Sequence, residues 1–205
     1  NASGTFILEY ILARKKEKGL LPENPQDAAV VTTIVSTDMA KAVCENYGVT
    51  LTEVLTGFKY IGEKIKSFED AKRENGGRFS AQAGAYEYIF GFEESYGSLV
   101  GDYARDKDAV GAAATLCEAA AYYKSQGKSL SSALEELYEK YGYYREGLHT
   151  ETLKGADGAK RIKELMKELR ENPKKSFGGA KILKIRDYAA GVITDTATGK
   201  TEKTN

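Results

Sequence analysis

The run Ala28-Ala29-Val30-Val31-Thr32-Thr33-Ile34-Val35, followed at once by Ser36-Thr37-Asp38, decides the fold. The first eight residues are apolar or β-branched and carry no charge, so they read as a buried strand. Ser36-Thr37-Asp38 supplies short oxygen-bearing side chains of the kind that cap helices, and a helix should follow. Moving toward the C-terminus, the next helix covers about Met39 to Tyr47 and stops at Gly48, a residue suited to a left-handed C-terminal cap. Thr50 to Leu55 then reads as a strand, Phe58 to Glu74 as a helix ended by Gly76-Gly77, and Tyr86 to Phe90 as a third strand. Toward the N-terminus, Pro22 to Asp27 is a loop. Before it, Phe6, Ile7, Tyr10 and Ile11 recur at helical spacing in an amphipathic helix from Thr5 to Lys18 that stops at Gly19. This alternation predicts an α/β fold, a mixed β-sheet with flanking helices.

Past a Gly-rich loop through Gly101, Asp108 to Ser125 is an Ala-rich helix and Leu130 to Lys140 another. The character changes near Tyr141, which predicts domains at 1–141 and 142–205. In the second, Glu146 to Leu153 reads as a strand, Ala156 to Glu171 as a helix and Ala180 to Asp187 as a strand, a partial α+β segment. The tail after Gly191 is polar and supplies too few apolar residues for another core layer.

Thirty Lys plus Arg balance thirty Asp plus Glu, so the chain lacks the basic field that drives nonspecific nucleic-acid binding, and no nucleic-acid partner is expected. A hydrophobic fraction of 41% in 205 residues is ample for a packed core. Cys44 and Cys117 are too far apart in sequence to form a close-spaced ligand pair and read as reduced thiols. No apolar run approaches the ~20 residues of a membrane span, and no basic segment precedes an apolar one at the N-terminus. The expected location is cytoplasmic, without membrane insertion.

The main candidate site is Gly91-Phe92-Glu93-Glu94-Ser95-Tyr96-Gly97, at the C-terminal end of a strand, where open α/β sheets bind ligands. A carboxylate accepts from neighbouring sugar hydroxyls and a serine both donates and accepts, which suits a carbohydrate. A solvated acidic turn fits the same composition. Glu93 and Glu94 are a poor acid/base pair because neighbours in extended chain point in opposite directions. Thr56-Gly57 ends a strand where a helix starts at once, and N–H groups there suit a hydroxyl or phosphate oxygen. The Gly57 to Gly62 spacing is not a P-loop, since Glu63 stands where the lysine belongs. In Arg105-Asp106-Lys107-Asp108 the acidic residues suit a helix start, whereas Lys107 opposes the helix dipole and leaves an anionic ligand open. His149, the only histidine, has no partners for a metal or triad site and reads as structural or exposed.

Taken in order and spacing, Thr56-Gly57-Phe58-Lys59-Tyr60-Ile61-Gly62, Gly91 to Gly97 and Arg105 to Asp108 resemble the third domain of the α-D-phosphohexomutases, the phosphoglucomutase/phosphomannomutase family. The resemblance implies a parent enzyme of four domains that interconverts hexose 1-phosphate and hexose 6-phosphate through a phosphoserine and a bisphosphorylated sugar. It implies Mg2+ and a glucose 1,6-bisphosphate-type activator for that parent, with a hexose phosphate and the remaining domains as partners. It places substrate binding on Thr56, Gly57, Glu93, Ser95 and Lys107, and gives Glu94 no direct contact. The chain contains no Thr-Ala-Ser-His-Asn-Pro phosphoserine segment, no Asp-Gly-Asp-x-Asp-Arg metal loop and no Arg-Pro-Ser-Gly-Thr-Glu-Pro phosphate loop. No catalytic or metal residue is therefore assigned. Tyr144 to Asp187 resembles only the opening of the fourth domain. The start at Asn-Ala-Ser-Gly without Met fits a fragment, inactive alone. The alternative is a stand-alone sugar-phosphate-binding or interaction module.

Overall fold

The computed structural model describes residues 1–147 and 152–204. The chain divides into two compact units, 1–146 and 147–205. The first contains α1 (Ala2–Glu17), β1 (Ala28–Thr33), α2 (Met39–Tyr47), β2 (Thr50–Val54), α3 (Phe58–Glu74), β3 (Glu87–Phe92), β4 (Ser98–Val100), α4 (Ala109–Ser125) and α5 (Leu130–Tyr141). Its sheet has the order β2-β1-β3-β4, with β1 parallel to β2 and β3, and β4 antiparallel to β3.

The chain leaves β1 toward β2 on one side and crosses back over β1 to reach β3. Because such crossovers are right-handed, reversing direction sends α2 and α3 to opposite faces. β1 shows the consequence in its alternation. Ala28 and Val30 join the cluster under α1, α2, α4 and α5, whereas Ala29 and Val31 pack with Phe58, Ile61, Ile65 and Phe68 of α3. β3 slips register by one residue between Tyr88 and Phe90, so Tyr88 faces α3 while Ile89, Phe90 and Phe92 fill the other cluster. Phe90 and Phe92 are fully buried side chains, and truncating either to alanine should cost about 3–5 kcal/mol.

Sequence and structure differ at several points. The predicted loop through Gly101 contains β4, which Ser98, Leu99 and Val100 form by pairing with Phe92, Gly91 and Phe90. Three residues are too few to show a periodicity. The helix that starts at Asp108 by sequence starts at Ala109, with Asp108 as its cap, accepting from Val110 and Gly111 N–H groups. At α2 the capping bond comes from Thr37, whose hydroxyl accepts from Met39 N–H at 3.2 Å.

In the second unit α6 (Gly155–Glu171) is followed by a short hairpin of β5 (Ser176–Phe177) and β6 (Ala180–Lys181), then by an antiparallel meander of β7 (Lys184–Asp187), β8 (Val192–Asp195) and β9 (Thr201–Lys203). The single strand expected from Ala180 to Asp187 is thus broken at Ile182-Leu183. The polar tail after Gly191 supplies two strands, because main-chain pairing needs no apolar run. Of the strand expected from Glu146 to Leu153, residues 148–151 lie outside the described ones, His149 among them, and the described remainder is irregular.

Candidate functional site

The C-terminal ends of β1, β2 and β3 converge on one edge, since the three strands are parallel neighbours. The segment after β3 folds back at once, with Glu93 N–H donating to Gly97 C=O at 2.8 Å. This closure directs the two adjacent glutamates apart. The Glu93 carboxylate is drawn under the loop, where the residue is 5% exposed, and its Oε1 accepts from Gly57 N–H at 2.9 Å. Gly57 occupies the N-cap of α3 with φ 123 and ψ 123, a conformation that suits glycine. It offers no capping side chain of its own, so Glu93 serves as an anionic cap reaching in from β3 and complements the positive end of α3.

Lys107 lies against the other carboxylate oxygen, with Nζ 3.6 Å from Glu93 Oε2 and 5.9 Å from the centre of the Phe58 ring. Its side chain remains 51% exposed. The buried acid thus has two compensating partners, a helix N–H and an ammonium, and the ammonium still faces solvent. Two glycines permit the approach. A Cβ on Gly97 would meet Glu93 Oε2 and Lys107 Cδ at 3.0 Å, and one on Gly62 would stand 2.7 Å from the Arg105 carbonyl oxygen. The second glycine of the Gly57–Gly62 pair therefore lets the segment before Lys107 pack against α3, where Arg105 pairs with Glu69. Lys107 precedes α4, and the backbone of Asp108 is tied to β4 through Asp108 N–H and Ser98 C=O at 2.9 Å.

Ser95 and Thr56 are exposed, on the crest of the loop and just after β2. Of the five expected residues, Gly57, Glu93 and Lys107 are joined by direct contacts. Thr56 and Ser95 belong to the two segments that those contacts hold together. The expected free N–H at Gly57 is committed to Glu93. Sequence reading missed the contact of Glu94, whose Oε2 accepts from Thr33 Oγ1 at 2.8 Å, with Ser36 Oγ a further 3.0 Å from that hydroxyl. No spacing signals it, because Thr33 ends β1 and Glu94 lies 61 residues away in the loop after β3. Among the described residues, no group of three or more His, Cys, Asp or Glu side chains is arranged to hold a metal.

A family model described as phosphoglucomutase/phosphomannomutase, alpha/beta/alpha domain III, matches residues 4–141. The chain belongs to that family. Among curated proteins it is 35% identical over 193 residues to a phosphoglucomutase of Staphylococcus aureus, covering 94% of this chain and 31% of the relative. It is 32% identical over 185 residues to a phosphoglucomutase of Staphylococcus haemolyticus, covering 90% and 30% respectively. This member of the phosphoglucomutase/phosphomannomutase family thus spans about a third of the length of those relatives. Among solved structures, the open form of pp63/parafusin, a phosphoglucomutase from Paramecium, superposes with a TM-score of 0.51 at 16% identity, over 98% of this chain and 30% of that one. That likeness is one of fold. No described helix of the chain is long and apolar enough to cross a membrane.

Proposed function

We propose that the chain is the sugar-holding part of a phosphoglucomutase/phosphomannomutase, joined to the opening of the domain that follows. The parent would interconvert hexose 1-phosphate and hexose 6-phosphate through a phosphoserine and a bisphosphorylated sugar. Thr56, Gly57, Glu93, Ser95 and Lys107 would form the hexose-phosphate face. The supporting observation is the convergence of Glu93, Gly57 and Lys107 on the strand edge where α/β sheets take ligands, within the segment that matches the family.

The buried Glu93 carboxylate fixes the ends of two loops, the exposed Lys107 ammonium supplies three donors to an anionic or hydroxyl oxygen, and Ser95 both donates and accepts. Phosphoryl transfer depends on positioning and charge stabilisation, so this part orients the sugar while the chemistry resides in other domains. The fragment is inactive alone; the parent would use Mg2+, with ligands supplied by its other domains, and a glucose 1,6-bisphosphate-type activator. We place the border of the sugar domain after Tyr141 and the parent in the cytoplasm.

The test combines binding and kinetics. Amide-resolved NMR of the 205-residue chain with glucose 1-phosphate, glucose 6-phosphate and mannose 1-phosphate should give saturable shifts at Gly57, Ser95 and Lys107. In the complete enzyme, Ser95→Ala and Lys107→Met alter exposed side chains and should lower kcat/KM about ten- to a hundredfold without loss of folding. Wild-type kinetics in both variants with all three sugars would overturn the assignment.

A further inference from the structure

We propose that Glu94 and Thr33 form a latch that positions the crest of the loop, Ser95 and Tyr96, for contact with the hexose. The inference rests on the reading of this edge as the hexose-phosphate face and adds residues that the sequence did not assign.

The first observation is topological. The connections from β1 and into β3 leave the sheet in opposite directions, so the crevice between these strand ends is the switch point of the sheet. In this chain a side chain spans that crevice. Thr33, the last residue of β1, is fully buried, and its hydroxyl donates to Glu94 Oε2 at 2.8 Å. Ser36 Oγ stands 3.0 Å from the same hydroxyl, which ties the chain leaving β1 into the contact. A hydrogen bond to a carboxylate is among the stronger ones available to a neutral hydroxyl.

The second observation is the backbone of Tyr96. It is the only described residue other than glycine with positive φ, at 67. Its side chain is 103% exposed, so the ring contributes nothing to the core. A bulky residue in the left-handed region is strained, and such strain persists where the surroundings over-determine it, most often at functional sites. The surroundings here are three restraints. Glu93 is tied to Gly57 beyond β2, Glu94 to Thr33 at the end of β1, and the Glu93–Gly97 main-chain bond closes the loop. Ser95 and Tyr96 sit between these anchors as an exposed hydroxyl beside an exposed aromatic ring. That pair matches a sugar, which presents hydroxyls at its rim and apolar C–H groups on its faces. Tyr96 is thus a contact residue, and Glu94 and Thr33 are positioning residues that act through it and Ser95. A preordered loop spares the ligand the cost of ordering it.

The test uses four variants in the complete enzyme and in the 205-residue chain. Thr33→Val keeps the shape and removes the hydroxyl, whereas Thr33→Ser restores it. Glu94→Ala removes the acceptor and Glu94→Gln keeps one. Thr33→Val and Glu94→Ala should each raise KM for hexose phosphate about tenfold, with a smaller change in kcat, and the two conservative variants should stay within about threefold of wild type. Backbone order parameters of residues 94–97 in the 205-residue chain should fall from about 0.85 to below about 0.6 in the first pair and recover in the second. Glu94 lies on the loop, so Glu94→Ala remains informative if Thr33→Val disturbs the core. Wild-type KM and order parameters in Glu94→Ala, or a loss in Thr33→Val that Thr33→Ser fails to repair, would overturn the latch. Failure of the wild-type enzyme to turn over any hexose phosphate would overturn the site reading instead. The relaxation data need no ligand and still decide whether the latch exists.

Discussion

Glu93→Ala should unfold the chain more readily by about 3 kcal/mol, because Glu93 braces the site from within. The Gly57 N–H loses a charged acceptor at 2.9 Å, worth about 1.5–3 kcal/mol. The Lys107 contact at 3.6 Å adds at most about 1 kcal/mol, since half of that lysine is exposed and screened. For a unit of this size the sum lowers Tm by about 6–12 °C. Glu93→Gln keeps the acceptor and the volume and should lose only about 1 kcal/mol. Urea unfolding of the 205-residue chain, followed by far-UV circular dichroism, measures both. An alanine variant within about 0.5 kcal/mol of wild type would refute the reasoning, because the buried carboxylate would then carry no weight in holding α3 to the loop. The prediction also bears on enzymology. A kinetic defect in Glu93→Ala mixes folding with recognition, whereas Ser95→Ala and Lys107→Met separate them.

A second buried acid supports the opposite face. Glu9 of α1 accepts from Tyr47 of α2 at 2.9 Å, Lys140 of α5 at 3.0 Å and Tyr141 of α5 at 2.7 Å. Glu9→Ala should therefore cost about 2–4 kcal/mol by the same urea assay, and a double-mutant cycle with Tyr141→Phe should show coupling above about 0.5 kcal/mol. Alkali should destabilise the fold. Burial pushes the Cys44 thiol up to about 12, and burial together with the Glu9 carboxylate holds the Tyr47 and Tyr141 hydroxyls above the usual tyrosine range. These groups keep their protons in the folded chain while the unfolded chain releases them. Stability is thus fully present below about pH 9 and falls as pH rises from about 9 to 12, and Tyr47→Phe should flatten the upper part of that decline. A thiol reagent at neutral pH should label Cys117, which is exposed, in the native chain and Cys44, which is buried, only on unfolding. Equal rates for the two would contradict the packing around α2.

The order of elements in the first unit was legible because strands and helices longer than about five residues leave a periodicity and carry their own stop signals. α3 runs from Phe58 to Glu74 as read, and Gly48 takes the left-handed cap at φ 70. β4 and the meander after Gly191 were not legible, since short strands made by pairing leave little local trace. The site was legible as a set of segments and not as a set of contacts. Glu93, Gly57 and Lys107 are far apart in sequence, and nothing in composition says that the glutamate turns inward to cap a helix. Gly62 read as half of a failed phosphate motif and as the end of the Thr56–Gly62 segment, and neither reading carries its packing reason, the Arg105 carbonyl oxygen 2.7 Å from where a Cβ would stand.

The same geometry explains why two glutamates stand side by side. In a loop closed by Glu93 N–H and Gly97 C=O, neighbouring side chains leave on opposite sides. One carboxylate therefore reaches the segment after β2 and the other reaches the end of β1, so a single dipeptide ties β3 to both of its parallel companions. A lone glutamate would anchor one flank and leave the crest free to pivot about it. With both flanks fixed, the strained backbone at Tyr96 has nowhere to relax, and the two residues beyond the anchors, Ser95 and Tyr96, are held out as a pair. On this argument the acidic pair is a constructional device of the sheet edge. Lys107, half exposed beside Glu93, keeps its ammonium open to solvent at the base of the loop.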